Sequence, residues 1–113
     1  MGLFNKDITP KQVKKFEKIC SKIGPVELEL IATNECRDFL AVNDISLHFI
    51  TNVFGKTEHN VVPFSQISSI SVSKVAMKAT IKVTATSGKT YSLPTFTKQA
   101  ASAVEVINKK RES

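Results

Sequence analysis

The residues able to carry chemistry are few in this chain, and their spacing argues against catalysis. There are two histidines. His48 stands between Leu47 and Phe49 in a run that reads as β-strand, and His59 lies in a polar stretch. Neither has a carboxylate or nucleophile at a recognised spacing, and neither forms HxH or HExxH. A structural or solvated imidazole is the expectation for both. Ser68, Ser69, Ser71 and Ser73 lack a G-x-S-x-G setting and read as the polar face of a strand. Gly2, Gly24, Gly55 and Gly88 are accounted for by the terminus, a helix cap and turns, which leaves no P-loop and no G-x-G-x-x-G. Cys20 and Cys36 form no CxxC and have no nearby histidine pair, so zinc is not indicated. Cys20 falls on the apolar side of a helix, where an inert buried thiol is expected. Cys36 sits beside Arg37 in a polar loop, where an exposed, mildly activated thiol is expected. The expectation is therefore no enzyme: no catalytic residues, no metal site and no cofactor.

Binding chemistry is better supplied. Lys11, Lys14, Lys15, Lys18 and Lys22 recur at helical spacing, opposite Val13, Phe16, Ile19, Cys20 and Ile23. Such a stripe either solvates an outer helix face or meets an anionic partner: lipid, nucleic acid or an acidic protein. At an anionic membrane each lysine contributes about 1 kcal/mol. Three or four together give only about millimolar attraction unless an apolar group inserts as well. Leu3 and Phe4 are weak candidates for that insertion. Single-stranded nucleic acid would need exposed aromatics, and only Phe54, Tyr91 and Phe96 are plausible platforms, so it is the less favoured partner.

The net charge of +6 is unevenly spread. Residues 1–22 carry six lysines against Asp7 and Glu17. Residues 26–58 reverse the sign, with Arg37 and Lys56 against Glu27, Glu29, Glu35, Asp38, Asp44 and Glu58. From Lys74 onward basic residues dominate again. This alternation suits a molecule with a positive and a negative side, able to meet an anionic partner or its own copies head to tail.

The elements that must position these groups can be read from periodicity. Thr9-Pro10 opens a helix over residues 10–23, with Thr9 as N-cap, and Gly24-Pro25 stops it. The period then changes to two. VELELIAT over 26–33 alternates as a half-buried strand should, with Val26, Leu28, Leu30 and Ala32 facing one way and Glu27 and Glu29 the other. DFLAV and SLHFITNVF follow, separated by the turn pair Asn43-Asp44. Within ISSISVS the apolar phase slips, which predicts a bulge near Ser68-Ser69. ATIKVTAT and TYSLP form a hairpin across Ser87-Gly88-Lys89. A final helix over 97–110 has Thr97 as its expected cap and Ala100, Ala103, Val104 and Ile107 as its apolar stripe. About seven short antiparallel strands must close or pack as a sandwich to hide one face and the edges.

The length fits one domain, 1–113, with 42% apolar and 23% charged residues, as in ordinary globular proteins. No signal-like or membrane-spanning apolar run is present, and MGLFNK lacks the Ser or Thr of a myristoylation site, so a soluble cytoplasmic protein is expected.

The order of elements, with FLAVNDISLHFIT, VVPFSQISSISV, TIKVTATSGKTYSLP and the terminal helix, resembles the bacterial pleckstrin-homology-like family in its short form. The resemblance covers residues 26 to about 110. It implies an α+β, mainly β fold: a barrel over 26–95 capped by the C-terminal helix, with the amphipathic first helix as an N-terminal extension. The family's P[YF]xxI segment is matched by Pro63-Phe64-Ser65-Gln66-Ile67, which makes Phe64 and Ile67 core residues. The TNxRL turn of such families is reduced here to Val42-Asn43-Asp44-Ile45-Ser46. The loop Thr33–Asp38 carries one arginine against two acids, unlike the basic loop of lipid-binding members. The resemblance implies a non-enzymatic interaction module acting through protein contacts, with self-association as the expected mode. Peripheral binding to an anionic membrane through Lys11, Lys14, Lys15, Lys18 and Lys22 is the alternative.

Overall fold

Thr9 starts the first helix with a reciprocal cap. Its Oγ1 accepts from the Gln12 N–H at 3.2 Å, and Gln12 Oε1 accepts from the Thr9 N–H at 2.9 Å. Two donors that a helix end leaves without partners are thereby satisfied. In the computed structural model, which describes residues 8–23, 27–34 and 37–112, this helix is α1, Pro10–Ile23. The expected Gly24-Pro25 stop, Leu3, Phe4 and Cys36 lie outside the described residues.

Seven antiparallel strands follow in two sheets. The first sheet is a meander of β1 (Glu29–Asn34), β2 (Asp38–Val42), β3 (Ser46–Val53) and β4 (Lys56–Pro63). A 3-10 turn, Phe64–Gln66, leads to the second sheet of β5 (Ile67–Val75), β6 (Lys78–Ala85) and β7 (Thr90–Phe96). The closing helix α2 is Thr97–Arg111. The strands form two facing sheets, and no ladder joins β4 to β5. The expected bulge is present: the β5–β6 register shifts between Ile67 and Ser69.

The half-buried reading of the first strand needs correction. Leu30, Ile31, Ala32 and Thr33 are all buried, so β1 is covered on both faces. One face joins the main core with Leu40, Val42, Leu47, Phe49 and the second sheet. The other carries Leu30, Phe39, Ala41 and Ile50, and α1 lays Phe16 and Ile19 upon them. Each such side chain contributes about 1.5–3 kcal/mol when fully removed from water. A second bulge between Leu30 and Ala32 turns Ile31 and Ala32 both toward the main core.

The cap of α2 also differs from expectation. Phe96, in extended conformation, is the N-cap, and no side chain caps the helix. Thr97 is the first helical residue; its N–H donates to the Met77 carbonyl at 2.9 Å, and its buried Oγ1 has no partner. Three of the four residues of the predicted stripe are in place; the fourth, Val104, is only half-buried, and Val106 rather than Val104 packs against the core. Ala100, Ala103 and Ile107 are buried, and small alanines let the helix come close to the strands.

Gln99, which carries no apolar signal, is also buried. Its Oε1 accepts from the Thr33 N–H at 3.0 Å and from Thr95 Oγ1 at 2.9 Å. One side chain of α2 thus pins β1 to β7, where the two sheets meet.

The β3–β4 turn is Phe54-Gly55, and both residues have positive φ, 51° and 79°. That pattern matches the twist of a two-residue hairpin, but its first position favours Asn, Asp or Gly. Phe54 is fully exposed there and contributes no packing. Phe54→Asn is expected to raise the unfolding free energy by about 1 kcal/mol, read from the urea midpoint, because it relieves left-handed strain.

Candidate functional site

Two surfaces of opposite charge stand out. On α1, docking of Phe16 and Ile19 leaves Lys11, Lys14, Lys15, Lys18 and Lys22 all exposed. None of the five makes an ion pair with a described residue. The helix thus holds the amines on one face while its apolar face is engaged. Cys20 lies between these faces, half-buried against the α1 cluster. Burial, and then the neighbouring Glu17 carboxylate, push its thiol pKa up, which keeps it protonated and unreactive.

The negative surface lies where β1 begins and β2 turns into β3. Glu27, Leu28, Glu29, Val42, Asn43 and Asp44 line an open hollow of about 320 Å³, closed on one side by Lys110 of α2. Lys110 Nζ is 3.6 Å from Asp44. Asn43 shapes this turn. Its Oδ1 accepts from the backbone N–H groups of Ile45 and Ser46 at 2.9 and 2.8 Å. In the β1–β2 loop, Arg37 leans on Asp38 at 3.5 Å, so its charge is partly neutralised by its own neighbour.

The tertiary structure brings the two histidines together. His48 Nδ1 and His59 Nε2 are 2.7 Å apart, with the rings stacked at 4.9 Å between centroids. In the linear sequence they belong to different elements, β3 and β4. A two-residue turn at Phe54-Gly55 was the available signal: it pairs Ile50 with His59 and leaves His48 on the diagonal. The tautomers follow from Asn43. Its oxygen is held by two backbone donors, so its Nδ2 faces His48 Nε2 at 3.2 Å and donates to it. His48 therefore carries its proton on Nδ1 and donates to His59. Ser46 Oγ lies 2.9 Å from the same Nε2. A second proton on His48 would turn that acceptor into a donor facing the Asn43 amide.

Burial, then the neighbouring His59, lower the His48 pKa to about 4; burial also lowers that of His59. The unfolded chain takes up a proton near the ordinary histidine value, and the folded chain resists it. The stabilisation is intact above that value and is lost as pH falls toward about 4. For His48 alone the expected loss is about 2 kcal/mol between about pH 7 and pH 5. Urea midpoints measured across this range should fall in the native chain and fall less in His48→Gln. The pair thus acts as a neutral structural element that links β4 through β3 to the Asn43 turn.

The aromatic platforms do not form one surface. Tyr91 is half-buried and stacked on Phe49 at 5.2 Å, with Lys89 Nζ 5.4 Å from its ring centre. Phe54 is exposed at the β3–β4 turn of the first sheet, and Phe96 at the end of β7 in the second. Among the described residues no group of three or more His, Cys, Asp or Glu side chains is placed to hold a metal ion.

Residues 30–109 match the family model described as bacterial PH domain. No curated protein matches the chain. A solved structure from Shewanella loihica PV-4, described as a DUF1696 family protein with a pleckstrin-homology domain, superposes with a TM-score of 0.54. It is 19% identical, and the match covers 88% of this chain and 92% of that one. At that identity the likeness shows the fold alone.

Proposed function

Since the chain belongs to the bacterial PH domain family, we propose that it is a non-enzymatic interaction module that works through protein contacts and self-associates. The observation that carries this reading is the separation of charge. Five exposed lysines with no ion-pair partner among the described residues lie along α1, while Glu27, Glu29 and Asp44 surround the hollow beside the Asn43 turn. The positive face of one copy is the electrostatic complement of the negative face of the next. Contacts of this heterologous kind close into a ring or extend as an array. Sedimentation at high micromolar concentration and low salt is expected to show oligomers. Added salt should dissociate them, and so should Lys14→Glu combined with Lys18→Glu. A monomer alone under the low-salt condition refutes self-association.

A second reading is favoured by the same exposure of Lys11, Lys14, Lys15, Lys18 and Lys22: peripheral attachment of α1 to an anionic membrane surface. Flotation with anionic vesicles tests it, and binding that survives Lys14→Glu with Lys18→Glu rules out the stripe. Nucleic acid is less favoured because the exposed aromatics lie on different sheets. No helix among the described residues is long and apolar enough to cross a bilayer. The cytoplasm is the compartment proposed for the module.

A further inference from the structure

The polar groups around His48 form one network with a fixed order of donors and acceptors, and it ends at the acidic hollow. His48 is 4% exposed, and His59 is half-buried. With both rings neutral, His48 Nδ1–H donates to His59 Nε2 at 2.7 Å. His48 Nε2 accepts from Asn43 Nδ2 at 3.2 Å and lies 2.9 Å from Ser46 Oγ. Ser46 Oγ also reaches Asn43 Oδ1, at 3.0 Å. That same Oδ1 holds the Ile45 and Ser46 N–H groups. Asp44 lies within this turn, lines the hollow and pairs with Lys110 of α2 at 3.6 Å. One wall of the hollow thus depends on the Asn43 amide, and the amide depends on which nitrogen of His48 carries its proton.

Burial decides which ring takes an added proton. A charge on His48 is cut off from water, whereas His59 has access to it, so the first proton of the pair lodges on His59. Protonated His59 is a donor at Nε2. His48 must then accept at Nδ1, and its own proton moves to Nε2. The pair has gained one proton, and His48 is still neutral. Its Nε2–H now meets the Asn43 amide donor head-on. Ser46 adapts, because its hydroxyl can accept from His48 while it donates to Asn43 Oδ1. Asn43 cannot adapt: turning its amide over sets Nδ2 against the N–H groups of Ile45 and Ser46. No other charge intervenes among the described residues. β2 sets Ala41 opposite His48, and β4 sets Val61 there. α1 packs Val13, Phe16, Ile19 and Cys20 on this face of the sheet. Glu58 precedes His59 and lies on the other face of β4. Asp44 is wholly exposed beside Lys110. His59 is the one charged neighbour that shifts His48, and burial alone shifts His59.

We infer that the His48–His59 pair is a proton-operated latch on the acidic hollow: a proton on His59 moves the His48 proton from Nδ1 to Nε2, frees the Asn43 turn and releases Asp44 from the rim. The turn stays closed while both rings are neutral. It opens as pH falls below the ordinary histidine range, because burial holds both rings under that range. If the hollow is the negative half of the contact between copies, acid separates them. That consequence rests on the self-association proposed above, whereas the opening of the turn does not.

The test is nitrogen NMR of the native chain labelled at its two histidines, joined to amide exchange, from about pH 7.5 down to about pH 4.5. At the upper end His48 should carry its proton on Nδ1, with Nε2 bare. As His59 titrates, His48 should stay neutral but show the proton on Nε2. Protection of the Ile45 and Ser46 amides should fall about tenfold or more over the same range. His59→Gln keeps an acceptor for His48 and cannot titrate, so its two amides should stay protected. Its melting temperature at neutral pH shows that it folds. Sedimentation at low salt is the second arm: native oligomers should dissociate where His59 titrates, and those of His59→Gln should not. If no oligomers form even at neutral pH, self-association fails, while the tautomer and the two amides still decide the latch. The latch is refuted if His48 keeps its proton on Nδ1 once His59 has titrated, or if His48 takes the first charge. Unchanged protection in the native chain, or an equal loss in His59→Gln, refutes it as well. Native oligomers that persist with the turn open refute its link to assembly.

Discussion

Phe39→Ala is expected to lower the unfolding free energy by about 4 kcal/mol, the largest effect of any substitution considered, and to release α1 first. Phe39 is fully buried on the outer face of the first sheet. It is the floor on which the helix rests: the Phe16 ring lies 5.6 Å away at a tilt of 39°, and Leu30, Ala41 and Ile50 complete the patch. Truncation leaves a cavity under an element with few other attachments, because α1 makes no backbone ladder with the strands. Urea unfolding measures the global loss. Amide exchange should show the α1 amides losing protection before those of β2 and β3. Should the α1 amides stay as protected as in the native chain, the helix is held by something other than this patch. The substitution also bears on function. Both readings that use the lysine stripe need α1 held against the sheet, so oligomers should weaken with Phe39→Ala although no charge has changed.

Gln99→Leu is expected to cost about 3 kcal/mol, although leucine has nearly the same size and more apolar surface. Gln99 is 1% exposed. Removing its amide leaves the Thr33 N–H buried without an acceptor, and it deprives Thr95 Oγ1 of the nearer of its two acceptors, the other being the Thr33 carbonyl at 3.2 Å. Were hydrophobic burial decisive at this position, the variant would be as stable as the native chain or more so. A melting temperature at or above the native value would show that. The expected destabilisation instead identifies Gln99 as the polar clasp between α2, β1 and β7. Gln99→Glu should be similarly harmful at neutral pH, because it buries a carboxylate that lacks the amide's two donor hydrogens.

These two positions show how differently sequence and structure carry information. Phe39 was legible as core, since Phe39, Phe49 and Phe64 alternate within strand-like runs, and all three are buried. The partner of Phe39 was not legible. Whether a strand is covered on one face or two depends on whether a distant helix packs there, so alternation alone points to a half-buried β1 where the fold covers both faces. Gln99 was invisible as a core residue because polarity predicts exposure, and its burial is decided by donors from two strands that lie far from it in sequence. The histidine pair has the same origin. Each imidazole taken alone is a bland residue, and only the β3–β4 register sets Nδ1 of one against Nε2 of the other.

The α1 cap at Thr9, the bulge near Ser68-Ser69, the hairpin at Gly88 and the alanine stripe of α2 were all determined by local sequence. Periodicity, turn chemistry and capping act over a few residues, so they survive in the linear chain. The resemblance to bacterial PH domains followed from the order of those elements, and the chain's family match agrees with it. The tertiary structure alone decided which faces are doubly covered, that Gln99 joins the sheets, and that Phe96 rather than Thr97 precedes the last helix. The reason is the same in each case. Adjacency across strands is set by register and by sheet packing, and these are properties of the folded whole that short-range pattern does not encode.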